Sequence, residues 1–242
     1  MNDKTLKLTI EDVASDFPAF RMALVVLSGI SEPEHCPGIE ALVGAVEAAC
    51  AGVGDTAAVG KLPEIQQWRA AYRKFGIKKT HYRNAAEALI RRTVRDGRLP
   101  RVLPLVDLYN AISVKYRIPI GADDVTRLVQ PLAFRYARDG DSFFDMRGDG
   151  EVNVPPKPGE VIYADAEKVL CRRWNWRQDA RSGLARETRQ AALVLQTLAE
   201  DGKQRLTSAA RELAVLAEQE LGARCRWAIA SLRTPVISAG LE

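Results

Sequence analysis

The residue types able to do chemistry concentrate in Arg172-Arg173-Trp174-Asn175-Trp176-Arg177, a run of cations and indoles with no amphipathic period. Guanidinium planes and indole faces suit nucleobases, a ribose or an aromatic ligand. The same residues also fit a plainer arrangement, with the tryptophans in the core at a sheet edge and the arginines as a solvated rim. A second concentration is electrostatic. Between Lys61 and Arg101 lie twelve Lys or Arg against three acids, Glu64, Glu87 and Asp96. Such a segment fits phosphate, and equally a solvated helical face. His81, beside Lys78, Lys79 and Arg83, reads as a surface or phosphate-contacting residue more than as a general base. Cys36, Cys50, Cys171 and Cys225 lie far apart with no CxxC, which argues against a zinc site and a disulfide framework. No GxSxG, HExxH, Walker A or GxGxxG motif is present, and no acid pair stands at informative spacing, so neither metal nor cofactor is expected.

These residues sit in a chain of 242, 47% apolar and 27% charged, as in an ordinary soluble protein of one large domain or two small ones. The net charge of +4 is too small by itself to announce nucleic acid. No apolar run approaches the roughly eighteen residues a membrane span needs. Met1-Asn2-Asp3-Lys4 leads into an amphipathic strand rather than a signal peptide, so a cytoplasmic location and no membrane partner are expected.

Leu6–Ile10 alternates as a half-buried strand, and Met22–Leu27 is an apolar run suited to a central strand. After a turn at Pro37-Gly38, residues 39–51 repeat at helical spacing. Pro63 opens a helix whose stripe is Ile65, Trp68, Ala71, Tyr72 and Phe75, closed by Gly76. Asn84 and Glu87 form a capping pattern, the Asn accepting from the first turn and the Glu reaching back, before a helix to about Arg95. Residues 105–116 form another helix, with Val106, Tyr109, Ile112 and Tyr116 at core spacing and Asp107 and Asn110 on a different face. The second half is β-rich. Leu132, Phe134 and Tyr136 alternate, Asp139-Gly140 turns, and Ser142–Met146 returns as a strand. Val161–Ala164 and Val169–Cys171 make a hairpin with a four-residue connection, and the returning strand carries the Arg/Trp run. Ala191–Gln196 is a buried strand delivering one amide at its end. From Lys203 a heptad-like stripe, Leu206, Ala209, Leu213, Leu216 and Glu220, runs to about Cys225 and can pack on the domain or on a second copy.

In this frame Leu105-Val106-Asp107-Leu108-Tyr109-Asn110 resembles the "VD-x-x-N" signature of the B3/B4 domain, the editing module of the phenylalanyl-tRNA synthetase β subunit. Ile118-Pro119-Ile120-Gly121-Ala122-Asp123 falls where that family has its "QPLHAFD"-like segment. Arg135–Asp141 resembles its "R-x-A-x-x-GE" strand and turn, and Gly159–Asp165 the strand before its "ADAEG" turn. Glu187-Thr188-Arg189 through Gln196 resembles the "T-x-x-x-x-x-x-x-E" strand of free-standing members. Together these cover about residues 60–200, in order. The resemblance implies a stand-alone B3/B4 protein with an α+β fold, a layered β-sandwich with flanking helices. Residues 1–202 would form one domain, and residues 203–242 a helix and tail packing on it.

What the resemblance implies for function is hydrolysis of the ester linking a wrong amino acid to the tRNA 3′ end, needed because a synthesis pocket cannot reject a near-isostere by binding alone. The family's histidine falls on Gly121, and its side-chain-reading carboxylate on Gln196; Asn110 is retained. Hydrolysis would then rest on a water held by main-chain amides and Asn110, and an aminoacyl ester is activated enough for positioning to suffice. Gln196 would contact the amino-acid side chain, Trp174, Asn175 and Trp176 would shape the adenosine pocket, and Arg135 would hold phosphate or substrate. Arg91, Arg92, Lys78 and Lys79 would meet tRNA phosphates. The expected partner is tRNA or aminoacyl-tRNA. The alternatives are a non-catalytic module binding tRNA or aminoacyl-adenosine, and a small-molecule binder or hydrolase reusing the pocket without RNA.

Overall fold

In the computed structural model, which describes residues 5–79, 81–146 and 151–241, the apolar run Met22–Leu27 lies in a strand buried on both faces. Its side chains alternate between two cores, Ala23, Val25 and Leu27 in one and Met22, Leu24 and Val26 in the other. The unbroken apolar sequence follows, because a period of two sends consecutive residues to opposite, equally covered faces.

The elements run β1 (Thr5–Thr9), α1 (Glu11–Ala14), β2 (Arg21–Ser28), α2 (Pro37–Ala51), α3 (Thr56–Val59), α4 (Pro63–Lys74), α5 (Ala85–Asp96), α6 (Pro104–Tyr116), β3 (Ile120–Asp124), β4 (Leu132–Tyr136), β5 (Val161–Ala164), β6 (Val169–Arg172), β7 (Arg177–Gln178), β8 (Gln190–Thr197), α7 (Gly202–Leu221), β9 (Arg224–Ala230) and β10 (Val236–Gly240). A four-stranded sheet, β3-β8-β2-β9, faces a six-stranded one, β10-β1-β4-β5-β6-β7. Leu8, Phe134 and Tyr163 of the larger sheet join Met22, Leu24 and Val194 of the smaller in the core between them. The other face of the smaller sheet carries α2, α5, α6 and α7 through Ile39, Val46, Ile90, Leu108, Ile112 and Leu213. Helices, sheet and sheet thus stack as three layers, an α+β sandwich with flanking helices.

Several local signals act as their chemistry requires. Asn84 caps α5, its Oδ1 accepting from the Glu87 amide at 2.9 Å. The Glu87 carboxylate does not reach back to complete a capping box; Arg69 and Arg91 take it instead. Pro37, Pro63 and Pro104 each stand in a first helical turn, so Pro37-Gly38 begins α2 rather than preceding it.

Four expectations change. The packed stripe of α6 is Leu105, Leu108, Ala111 and Ile112; Val106 and Tyr109 line a cleft, and Asn110 lines it with them. Ser142–Met146 is not the strand returning from β4, whose antiparallel neighbour is β5. Phe143 packs with Ile162 and Val169 on the outer face of the larger sheet, and the segment's backbone hydrogen bonds go to Val154, Val169, Gln178 and Ala180. The Arg/Trp run is not strand, because Arg173 and Trp174 take left-handed backbone angles (φ 46° and 67°) and turn the chain from β6 into β7. Beyond α7, which stops at Leu221, the tail forms β9 on β2 and β10 on β1, an added strand in each sheet. No helix among the described residues is long and apolar enough to cross a membrane, and no His, Cys, Asp and Glu side chains there gather as a metal site.

Candidate functional site

One edge of the sandwich is open. There β3, the edge of the smaller sheet, approaches β7, the edge of the larger one, and α5 and α6 overhang the gap. The gap has two compartments that share Tyr109, Asn110, Met146, Trp176 and Gln178. The inner chamber is about 190 Å³ and the outer cleft about 650 Å³. A cavity of ~150 Å³ admits a benzene, so the chamber admits a group of amino-acid side-chain size.

β3 and β8 present Gly121, Asp123, Val194 and Gln196 to the chamber, and the opposite wall is Tyr163, Leu170, Cys171, Asn175 and Gln178. A buried relay fixes the Gln196 amide. The Tyr72 hydroxyl donates to Asn175 Oδ1 at 2.8 Å, and Asn175 Nδ2 donates to Gln196 Oε1 at 3.2 Å. Reversing the relay would strand the fully enclosed tyrosine proton without an acceptor, so Gln196 offers its Nε2 donors to the chamber. Gly121 is open on that face, since a Cβ there would touch only Val194 Cγ2 at 3.8 Å.

Asp123 is 2% exposed and accepts from Ser182 Oγ at 2.6 Å and Gln178 Nε2 at 2.9 Å, both on Oδ1. Burial pushes its carboxyl up to about 7, against the lowering effect of those two hydrogen bonds. Burial and then Asp123 push the Cys171 thiol up, which leaves it protonated and a poor nucleophile at neutral pH.

Among the described residues the outer cleft is lined by Arg83, Arg91, Arg92 and Arg95 and by no carboxylate. Behind them Glu87, 1% exposed, bonds Arg91 at 2.9 Å, while Arg92 stands 3.6 Å from Asp96. Trp176 forms the boundary between compartments, with the Arg173 and Arg177 guanidiniums 4.2 and 4.4 Å from its ring centre. Arg173 also lies 3.8 Å from the Tyr82 ring centre.

The structure therefore gathers Asn110, Gly121, Asn175, Trp176 and Gln196 around one chamber, with Arg91 and Arg92 at its approach. It separates the others. Trp174 is fully buried among Phe17, Phe20 and Trp68, because the left-handed turn folds it between the sheets. Arg135 points instead to Asp141, making two hydrogen bonds of 2.8 and 2.6 Å. Lys78 and Lys79 line a separate depression beside Arg73 and Tyr82. Asp107 holds the loop before α6, accepting from the Val102 amide at 2.8 Å and pairing with Arg101 at 2.9 Å. Asp123 and Tyr163 fall inside segments that resemble the family's motifs, at positions to which the resemblance assigns no role, and Gln178 lies outside them. Asp123 had a usable signal all the same, since it stands two residues from Gly121 on a strand and so shares its face.

The family model of the B3/4 domain matches residues 67–216. A search of curated proteins found no match. Among solved structures the chain is similar to an N-terminal fragment of the phenylalanyl-tRNA synthetase β-subunit from Pyrococcus horikoshii, at 10% identity and a TM-score of 0.47. That alignment covers 90% of this chain and 50% of the fragment, so the chain spans half the fragment's length.

Proposed function

The chain belongs to the B3/4 domain family, and from that membership we propose that it deacylates mischarged aminoacyl-tRNA by hydrolysing the ester at the tRNA 3′ end. The observation that carries this reading is the two-compartment gap, with a chamber of side-chain size behind an arginine-lined cleft. The aminoacyl side chain enters the chamber, where Gln196 Nε2 meets it. The terminal adenosine lies against Trp176, and Arg91 and Arg92 meet the phosphates, as cations and ring faces suit them. The ester falls at the junction, where Asn110 lines both compartments and its amide can donate to the carbonyl oxygen as charge develops there. Gly121 leaves the reacting carbon and a water free to approach.

The test is release of labelled amino acid from a panel of correctly and incorrectly charged tRNAs at two salt concentrations. Release from one mischarged species, slowed about 10²-fold by Asn110→Ala, is expected for loss of one oxyanion donor. No release from any species, with salt-sensitive tRNA binding, would replace the hydrolase with a binding module.

A further inference from the structure

Resting on the deacylase reading, we propose that Asp123 is a catalytic residue, the acceptor of the attacking water's proton. Its two oxygens have different surroundings. Oδ1 is anchored by Ser182 and Gln178, whereas Oδ2 has no hydrogen-bond partner among the described residues. A carboxylate held by one oxygen with the other open to a ligand chamber is oriented as a general base must be.

The charged and titratable groups packed around it do not neutralise it. Tyr109 faces it from α6, Tyr163 from β5 and Cys171 from β6. Lys168, in the turn after β5, is committed to Asp165 at 2.6 Å and to the Arg127 carbonyl at 2.7 Å. Arg177, on the chamber wall, is paired with Asp145. Burial without a cation of its own explains a carboxyl whose basicity suits neutral pH. Asp124, one residue on, is the internal contrast. Despite its burial, Thr126 and Thr188 hold it below the ordinary carboxylate range, with hydroxyls at 2.7 Å. Adjacent carboxyls on opposite strand faces are thus driven apart in basicity.

A second observation marks the chamber as a ligand site. The Tyr163 hydroxyl, on a side chain 1% exposed that lines the chamber, has no hydrogen-bond partner among the described residues. Asp123 is the foremost charge acting on that hydroxyl. A water or a substrate oxygen beside Asp123 Oδ2 would satisfy both groups.

In the reaction, water oxygen bonds to the ester carbonyl carbon as one of its protons passes to Asp123 Oδ2. Collapse of the tetrahedral intermediate breaks the carbon–oxygen bond to the ribose, and the ribose oxygen takes that proton back. Free amino acid and uncharged tRNA leave, with Asp123 again a carboxylate.

The experiment follows kcat/KM of the full chain against pH on the mischarged tRNA that it deacylates fastest, corrected for spontaneous hydrolysis. The base must be ionised, so activity should rise with pH to a plateau above about 7 and fall below it. Asp123→Asn should lower the plateau by about 10²- to 10⁴-fold and flatten the rise while tRNA binding holds. Ser182→Ala removes a donor that favours the anion, so the midpoint should move to higher pH with the plateau largely kept. A wild-type rate and profile in Asp123→Asn would overturn the assignment alone. If that variant does not fold, an unmoved midpoint in Ser182→Ala overturns it. A wild-type protein that releases nothing removes the deacylase reading and the base role together.

Discussion

Arg172, at the end of β6, and Arg173, in the turn after it, are nearly covered, whereas Arg83, Arg91, Arg92 and Arg95 stand along an open cleft. Arg172 is satisfied from within, whereas Arg173 is held there by stacking on Tyr82 and Trp176, its Nε and Nη1 having no hydrogen-bond partner among the described residues. Glu160 accepts from both Nε and Nη2 of Arg172 at 3.0 Å and from the Arg173 amide at 3.0 Å. The cleft set is only partly paired, through Glu87 and Asp96. The difference comes from backbone path. Two successive left-handed residues, Arg173 and Trp174, fold the turn back on the sandwich and enclose the Arg173 guanidinium against Tyr82 and Trp176, 3.9 Å from Glu160. A helix packed along one stripe leaves its remaining cations facing water. Residue type alone reported neither outcome.

The largest expected effect tests the covered side of this contrast. Trp174→Ala or Arg172→Ala should cost about 3–5 kcal/mol, read as a lowered denaturant midpoint, through a cavity in one case and a buried Glu160 stripped of both its guanidinium hydrogen bonds in the other. Weakened tRNA binding in either variant at unchanged stability would place the turn on the ligand surface instead. The open side is sharpened by Arg91→Ala combined with Arg92→Ala. Stability should fall by about 1–3 kcal/mol, because loss of Arg91 leaves a hydrogen bond to the buried Glu87 unmade, while the slope of log affinity against log salt should flatten by about one for each phosphate no longer neutralised. Binding should weaken similarly across tRNA sequences. The smallest effect belongs to Gly121→Ala. With room for the Cβ and no left-handed backbone, it should raise stability by about 0.4–1 kcal/mol, while the added methyl group at the chamber wall slows release.

The layers of this fold were legible where local chemistry and burial agree. Met22–Leu27 and Ala191–Gln196 read as buried strands, and both lie inside the smaller sheet. Asn84 was legible as a cap because the interaction spans three residues. The helix at 105–116 is legible but its facing is not, since Val106 and Tyr109 are apolar residues lining a cleft, and an apolar cleft wall has the same period as a core stripe. Arg224-Cys225-Arg226-Trp227 does alternate, yet it follows so directly on α7 that the helical stripe masks it. Asn110, Gly121 and Gln196 came from motif resemblance. Asp123 differs from Asp124 only in which way each faces, and that depends on register with β8.

Met22 pairs with Ala230 and Thr5 with Gly240, so β1 and β2 wait for partners more than 200 residues further along the chain. At about 5–20 residues per second, β1 waits some ten seconds or more for β10, and β2 waits about as long with both edges unpaired, since its neighbours are β8 and β9. β2 carries the unbroken apolar run Met22–Leu27, and an open edge on such a strand invites pairing with other nascent chains. Folding of this protein in the cell is therefore expected to depend on holding chaperones until those distant partner strands arrive, however stable the finished sandwich is.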